Sequence, residues 1–242
     1  MIKSSLMGVL GFCLFLFWAG HGVEAGENSC VNCHRNISPD TFVGSKYQSW
    51  KTSIHAKDGI TCDRCHGGKS SADQKEAAHA GIYNSSDPLS RVYFKKVPAT
   101  CGACHWRDFN AFKRSTHYAL LEKTGAGPTC VTCHESHSTK IISPQELPTT
   151  CEQCHNVRMG INPQVPEHAQ ALLLLINETS LLVSQARKEV GAGDQNKLQQ
   201  WNAAYKTMEA VRDGWHAFNL KQVQIQILKA YDLVKEFLVK KK

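Results

Sequence analysis

The chain has 242 residues, 42% of them hydrophobic and 20% charged, with a formal net charge of +7. That is the composition of a globular protein, and it excludes a disordered or fibrous chain. The unusual counts are 11 Cys and 12 His, which point either to a disulfide framework or to metal or cofactor binding. At the N-terminus, Lys3 precedes an apolar run from Leu6 to Ala19, and Val23-Glu24-Ala25 supplies small residues at the cleavage positions. Residues 1–25 therefore read as a secretory signal peptide cut after Ala25. The apolar run falls short of the ~20 residues that a spanning helix needs. Cys13 lies inside that run behind Phe12, where a lipoprotein cysteine needs a small neighbour, and reads as filler. No later stretch is long and apolar enough to span a bilayer. The mature chain is expected to be periplasmic or otherwise extracytoplasmic, with no transmembrane segment after cleavage.

The ten cysteines after Cys13 all fall into one pattern, Cys-x-x-Cys-His, repeated five times. The copies are Cys30/Cys33/His34, Cys62/Cys65/His66, Cys101/Cys104/His105, Cys130/Cys133/His134 and Cys151/Cys154/His155. This is the attachment motif of c-type haem. Two thiols three residues apart reach the two vinyl groups of one porphyrin, and the adjacent His becomes the proximal iron ligand. Structural zinc needs sites closed to four ligands, and five half-sites do not pair. A disulfide framework would not repeat one spacing, and a thioredoxin-like motif would occur once. The expectation is five covalently attached haem c groups. Their propionates would offset much of the excess Lys and Arg, so the basic charge is no argument for nucleic acid.

Five motifs between residues 30 and 155 leave too little polypeptide for each haem to have its own domain. Neighbouring porphyrins must lie close together and supply most of the core. Residues 26–160 are expected to form a five-haem cytochrome domain of short helices and long loops, punctuated by Gly67-Gly68, Asp87-Pro88, Gly125-Ala126-Gly127-Pro128, Pro144 and Pro148. Residues 161–242 form a helical segment packing on that domain, and the fold class is mostly α. A first helix is predicted from about Glu167 to Val190, with Leu172, Leu173, Ile176, Val183 and Val190 on one face and Gly191-Ala192-Gly193 ending it. A second starts at Asp194 as N-cap and carries Leu198, Trp201, Tyr205, Met208, Val211 and Trp215. A third, capped by Asn219, carries Leu220, Val223, Ile227, Tyr231, Val234 and Phe237 and ends on Lys240, Lys241 and Lys242, which suit the helix dipole. These stripes read as core.

Each iron needs a sixth ligand unless it is catalytic. With His21 lost in the signal peptide, six other histidines remain: His55, His79, His117, His137, His168 and His216. Only Met159 and Met208 survive in the mature chain, so bis-His coordination is expected to dominate, with lower potentials than His/Met ligation gives. His137 is too near His134 to serve the same haem and should reach another.

With these residues in hand, the chain resembles the multihaem cytochrome superfamily of ammonia-forming nitrite reductase and hydroxylamine oxidoreductase. The segments carrying the resemblance are Ser49-Trp50-Lys51-Thr52-Ser53-Ile54-His55-Ala56 ahead of Cys62-Asp63-Arg64-Cys65-His66-Gly67-Gly68, Ser115-Thr116-His117-Tyr118-Ala119 ahead of Cys130, and Cys130-Val131-Thr132-Cys133-His134-Glu135-Ser136-His137. Three helices behind the last motif are similar too. The resemblance implies that His216 serves the His134 haem, His117 the His155 haem and His137 the His66 haem. It leaves His55 and His79 for the His34 and His105 haems, with His168 spare or displacing one of them. The chain departs from the nitrite reductases in having no Cys-x-x-Cys-Lys motif for an open catalytic haem and in being far shorter.

These readings converge on a pentahaem electron carrier rather than an enzyme. Its expected partners are redox proteins: a quinol-oxidising membrane complex upstream, and a terminal reductase or another cytochrome downstream. The alternative is a small reductase of nitrite, hydroxylamine or a sulfur oxyanion with one open haem. A homo-oligomer formed through the C-terminal helices is a third possibility.

Overall fold

The computed structural model describes residues 28–239. The signal-peptide reading, Cys13, His21 and Lys240 to Lys242 lie outside the described residues. The chain is mostly helical, with no strand among the described residues. Ten short helices come first: α1 (Ser29–His34), α2 (Phe42–Lys51), α3 (Ile54–Lys57), α4 (Cys62–His66), α5 (Lys75–Ala78), α6 (Val97–Gly102), α7 (Trp106–Phe112), α8 (Thr116–Thr124), α9 (Cys130–His134) and α10 (Leu147–Glu152). Three long ones follow: α11 (Val165–Lys188), α12 (Gln195–His216) and α13 (Leu220–Val239).

The short helices are built around caps. The Asn28 side chain accepts from Val31 N–H at the start of α1. Ser53 and Ser115, both buried, accept from Ala56 and Tyr118 N–H at the starts of α3 and α8. At the start of α9, Thr129 N–H donates to the Thr132 hydroxyl at 2.9 Å. Helices of four to six residues cannot hold themselves in water, so these caps and the tertiary contacts must sustain them.

The long helices follow their apolar periodicity. Asp194 Oδ1 accepts from Lys197 N–H at 3.0 Å, and Asn219 Oδ1 accepts from Gln222 N–H at 3.0 Å, so both expected N-caps form. The first helix runs two residues earlier at its start and stops at Lys188, before the glycine-containing turn. Leu172, Val211, Val223 and Ile227 form one buried cluster, while Val183, Ala186, Ala204, Val234 and Phe237 form a second. A third, Leu147, Ala169 and Leu173, ties α10 to α11. Tyr205, expected in the core, is 47% exposed. Ala204 and Thr207 take the inward positions, and the Tyr205 ring stacks on Trp201 at 5.0 Å.

Two backbone features steer the site. Gly68 has φ of +82°, and a Cβ there would lie 2.5 Å from the Ala78 carbonyl oxygen, so only glycine allows α5 to fold back. Phe218 follows the end of α12 with φ of +54°. A bulky residue in this left-handed region costs of order 1–3 kcal/mol. The turn is closed by Phe218 N–H to Trp215 O and Asn219 N–H to Gly214 O, both 2.9 Å.

Candidate haem-binding site

The five motifs sit on or at the ends of α1, α4, α6, α9 and α10. A two-residue spacing within one helical turn puts both sulfurs on neighbouring edges, with the His following them. Helices α1 and α4 abut, as do α6 and α9, and α9 and α10. Asn28 Nδ2 joins the first two motifs by donating to Thr61 Oγ1 at 3.0 Å and to Asp63 Oδ1 at 2.9 Å. Burial and then the adjacent Cys30 push the Cys62 thiol up to about 11. Burial and then Cys151 push Cys133 up to about 11. Cys65 is raised by burial and then by Cys101. A hydrogen bond between Cys101 and Cys130 raises the first thiol and lowers the second. Each motif thus faces the next in chain order, giving one continuous array.

All ten motif cysteines are expected to hold haem, but the fold does not enclose them alike. Cys30, Cys62, Cys65, Cys101, Cys130, Cys133 and Cys151 are half-buried between motifs. Cys33, Cys104 and Cys154 depart from that pattern and stand exposed. For two of them the reason is their place on the helices. Cys104 and Cys154 fall just beyond the ends of α6 and α10, past the caps Ala103 and Gln153. There the chain is leaving the packed side of the helix, so the second thiol of these two motifs turns toward solvent. In α4 and α9 the whole motif is helical and both thiols stay inside. The attachment role of Cys33, Cys104 and Cys154 therefore rests on motif spacing and not on enclosure by protein. Two candidate histidines, His79 and His105, are exposed as well.

The histidines meet in five pairs. His34 and His79 have ring centroids 6.1 Å apart, His55 and His105 6.0 Å, and His66 and His137 5.9 Å. His117 and His155 are 5.8 Å apart, and His134 and His216 6.5 Å. Every proximal His therefore faces one of the other candidates. The three pairs implied by the family resemblance bring their rings together. Of the two histidines left open, His79 lies beside His34 and His55 beside His105. The fold-back at Gly68 carries α5, which His79 caps, toward α1. Glu135, with φ of +57°, turns the chain after α9 so that His137 reaches His66. His168, on the first turn of α11, is half-buried and in no such ring pair among the described residues.

These pairs fit a haem iron held between two imidazoles. Two rings on opposite sides of one metal, each nitrogen about 2 Å from it, have centres about 6 Å apart. Several Nδ1 atoms are already engaged: His79 with Lys75 O at 2.7 Å, His216 with Arg212 O at 3.0 Å and His155 with Ile161 O at 3.0 Å. An imidazole that donates Nδ1–H to a carbonyl keeps Nε2 unprotonated for a metal. Burial, followed by the charge of the paired imidazole, pushes His34, His55, His117, His134 and His137 below the ordinary imidazole range, which favours the neutral ligating form. His66 is lowered by burial and then by His34. Among the described residues no three His, Cys, Asp or Glu side chains converge as a chelating group. Two-ligand sites beside a Cys pair are what a porphyrin completes.

The pairs are not equivalent in orientation. The planes of His34/His79, His66/His137 and His134/His216 meet at 26°, 20° and 16°. Those of His55/His105 meet at 42°. Those of His117/His155 are crossed at 86°.

The array is docked to the long helices by charges. Arg107 Nε donates to Asp213 Oδ1 at 2.9 Å and Nη1 to Glu209 Oε2 at 2.5 Å. Arg212 Nε donates to Asp108 Oδ1 at 2.7 Å, and His216 Nδ1 lies 3.4 Å from the same oxygen. Burial would raise the Asp108 carboxyl, but the Arg212 hydrogen bond and the neighbouring His216 outweigh it and hold it below the ordinary carboxylate range. Sequence reasoning missed this interface, since its partners stand more than a hundred positions apart and no local spacing marks them. It also missed Phe218. The absence of a glycine after His216 is the signal that could have flagged it.

No helix among the described residues is long and apolar enough to cross a membrane. Residues 88–156, which hold three of the five motifs, match the family model for cytochrome c7 and related cytochrome c. The chain is 29% identical over 137 residues to the C-type polyheme cytochrome OmcC of Geobacter sulfurreducens, covering 57% of this chain and 15% of that protein. It is 28% identical over 134 residues to the C-type polyheme cytochrome OmcB of the same species, covering 51% of this chain and 16% of that protein. The aligned part is thus about a sixth of the length of these curated relatives. No solved structure matches the chain. By these matches and its five attachment motifs, the chain is similar to multihaem c-type cytochromes.

Proposed function

We propose that this chain is an exported pentahaem c-type cytochrome that carries electrons between redox proteins. The observation that carries the reading is the set of five proximal histidines, each facing a second imidazole at ring-centre spacings of 5.8 to 6.5 Å. Haem bound at each motif would supply a one-electron iron couple. The cysteine pairs of each motif hold it covalently, and the paired imidazoles saturate both of its faces. At the first, third and fifth motifs one thioether, at Cys33, Cys104 and Cys154, lies at the surface. Continuity from motif to motif makes one conducting array, which needs no substrate pocket. A reductase would need one proximal His without a partner, and each of the five has one. Affiliation with the nitrite reductase and hydroxylamine oxidoreductase superfamily belongs to this proposal, supported by the three ring pairs it implies. So do the division into residues 26–160 and 161–242, the extracytoplasmic location, and a quinol-oxidising complex, terminal reductase or second cytochrome as partner. Intact mass and the pyridine haemochrome spectrum count the haems, and the EPR spectrum of the oxidised protein reads their spin state. Five haems with only low-spin signals, unchanged by nitrite or hydroxylamine, are expected. A stoichiometric high-spin signal that shifts with either ligand would replace the carrier by a reductase.

A further inference from the structure

The His117/His155 pair stands apart from the other four in three ways. Its rings are crossed at 86°. The Nδ1 atom of His117 is buried and without a hydrogen-bond partner, whereas His79, His216 and His155 each have Nδ1 against a carbonyl. Phe218 packs edge-on against the His117 ring, with centroids 4.3 Å apart and planes at 74°. Phe218 is held there from the left-handed turn between α12 and α13, and its ring also meets Phe112 at 6.0 Å. Local strain of this kind persists only where the surroundings fix it, and it concentrates at functional positions.

We propose that Phe218 is a positioning residue that locks His117 crosswise to His155 and shields its Nδ1 from water, raising the reduction potential of the haem at the fifth motif. The inference rests on the pentahaem reading above. A free imidazole ring turns about its side-chain bonds, and an edge-on aromatic neighbour at this distance stops it. Near-parallel imidazoles interact with one iron π-orbital more than with the other, while crossed imidazoles treat the two alike. An imidazole that donates Nδ1–H to an acceptor becomes a stronger base toward the metal and favours the ferric state. His117 has no such acceptor and water is kept from supplying one, so the ferric state at its site is favoured less than it would be with Nδ1–H bonded, and the reduction potential is raised.

The test uses the purified, fully loaded protein with its haem count established first. In the oxidised EPR spectrum, one of five low-spin signals should be the single low-field feature of crossed ligands, and the near-parallel pairs should give rhombic signals. An EPR-monitored redox titration gives the potential at which the low-field feature bleaches. Phe218→Ala should free the ring and admit water to Nδ1, converting that feature to a rhombic signal that bleaches at lower potential. Phe218→Tyr should leave both unchanged. Five haems with only rhombic signals in the wild type would overturn the proposal without any variant. So would a low-field feature that Phe218→Ala leaves intact, or one that bleaches at the same potential in that variant. Fewer than five haems, or a high-spin iron, would instead overturn the pentahaem carrier on which it rests.

Discussion

The two halves of the molecule are both helical but are held together by different means. In α11 to α13 the apolar side chains meet one another, and all three buried clusters draw on these helices. In residues 28–160 the buried apolar residues, such as Val31, Val97, Phe112 and Leu121, are scattered. Large apolar side chains stand open in both halves, Phe42, Trp106 and Ile141 in the first and Leu181, Ile225 and Val239 in the second. The contrast teaches that one half contains its own core and the other is a scaffold whose core arrives with the prosthetic groups.

The largest expected effect comes from withholding those groups. Replacing the motif cysteines by alanine should leave residues 28–160 open to limited proteolysis while the three long helices stay protected. Equal protection of both halves would erase the distinction. Next, Ile227→Ala empties a fully buried position between α11, α12 and α13. It should cost about 2–5 kcal/mol, read as a lower melting temperature of the long helices with the visible haem spectrum kept. The smallest effect concerns the seam. The pairs of Arg107 and Asp108 are partly exposed, and such pairs contribute about 1 kcal/mol or less each. Asp108 is held below its ordinary value, so its contribution is complete above about 3.9, the unfolded carboxyl value. It is lost as pH falls through the lowered folded value. A melt series across that window should show the halves uncoupling on acidification, and Asp108→Asn should remove the dependence.

The same division explains how much could be read in advance. The three long helices and the caps Asp194 and Asn219 were legible because helical periodicity and capping are local. The five motifs were legible because the chemistry fixes their spacing. That Cys104 and Cys154 face outward was not, because spacing says nothing of where a short helix ends. The choice between His55 and His79 for His34 was not legible either, since it depends on how Gly68 lets the chain pass the Ala78 carbonyl. Tyr205 defeated the stripe because an aromatic at a core position can lie outward on a neighbouring ring. The Arg107 and Asp108 seam and the crossed His117 ring are products of tertiary approach, which no spacing records.

The histidine pairs also imply a timetable. A chain that emerges from its N-terminus completes each pair only when the later member appears. By position, those members are His79, His105, His137, His155 and His216. The second motif must wait for the loop behind the fourth, and the fourth must wait for the end of α12. His216 closes the pair that spans the longest stretch of chain, so maturation finishes at the fourth motif rather than at the fifth.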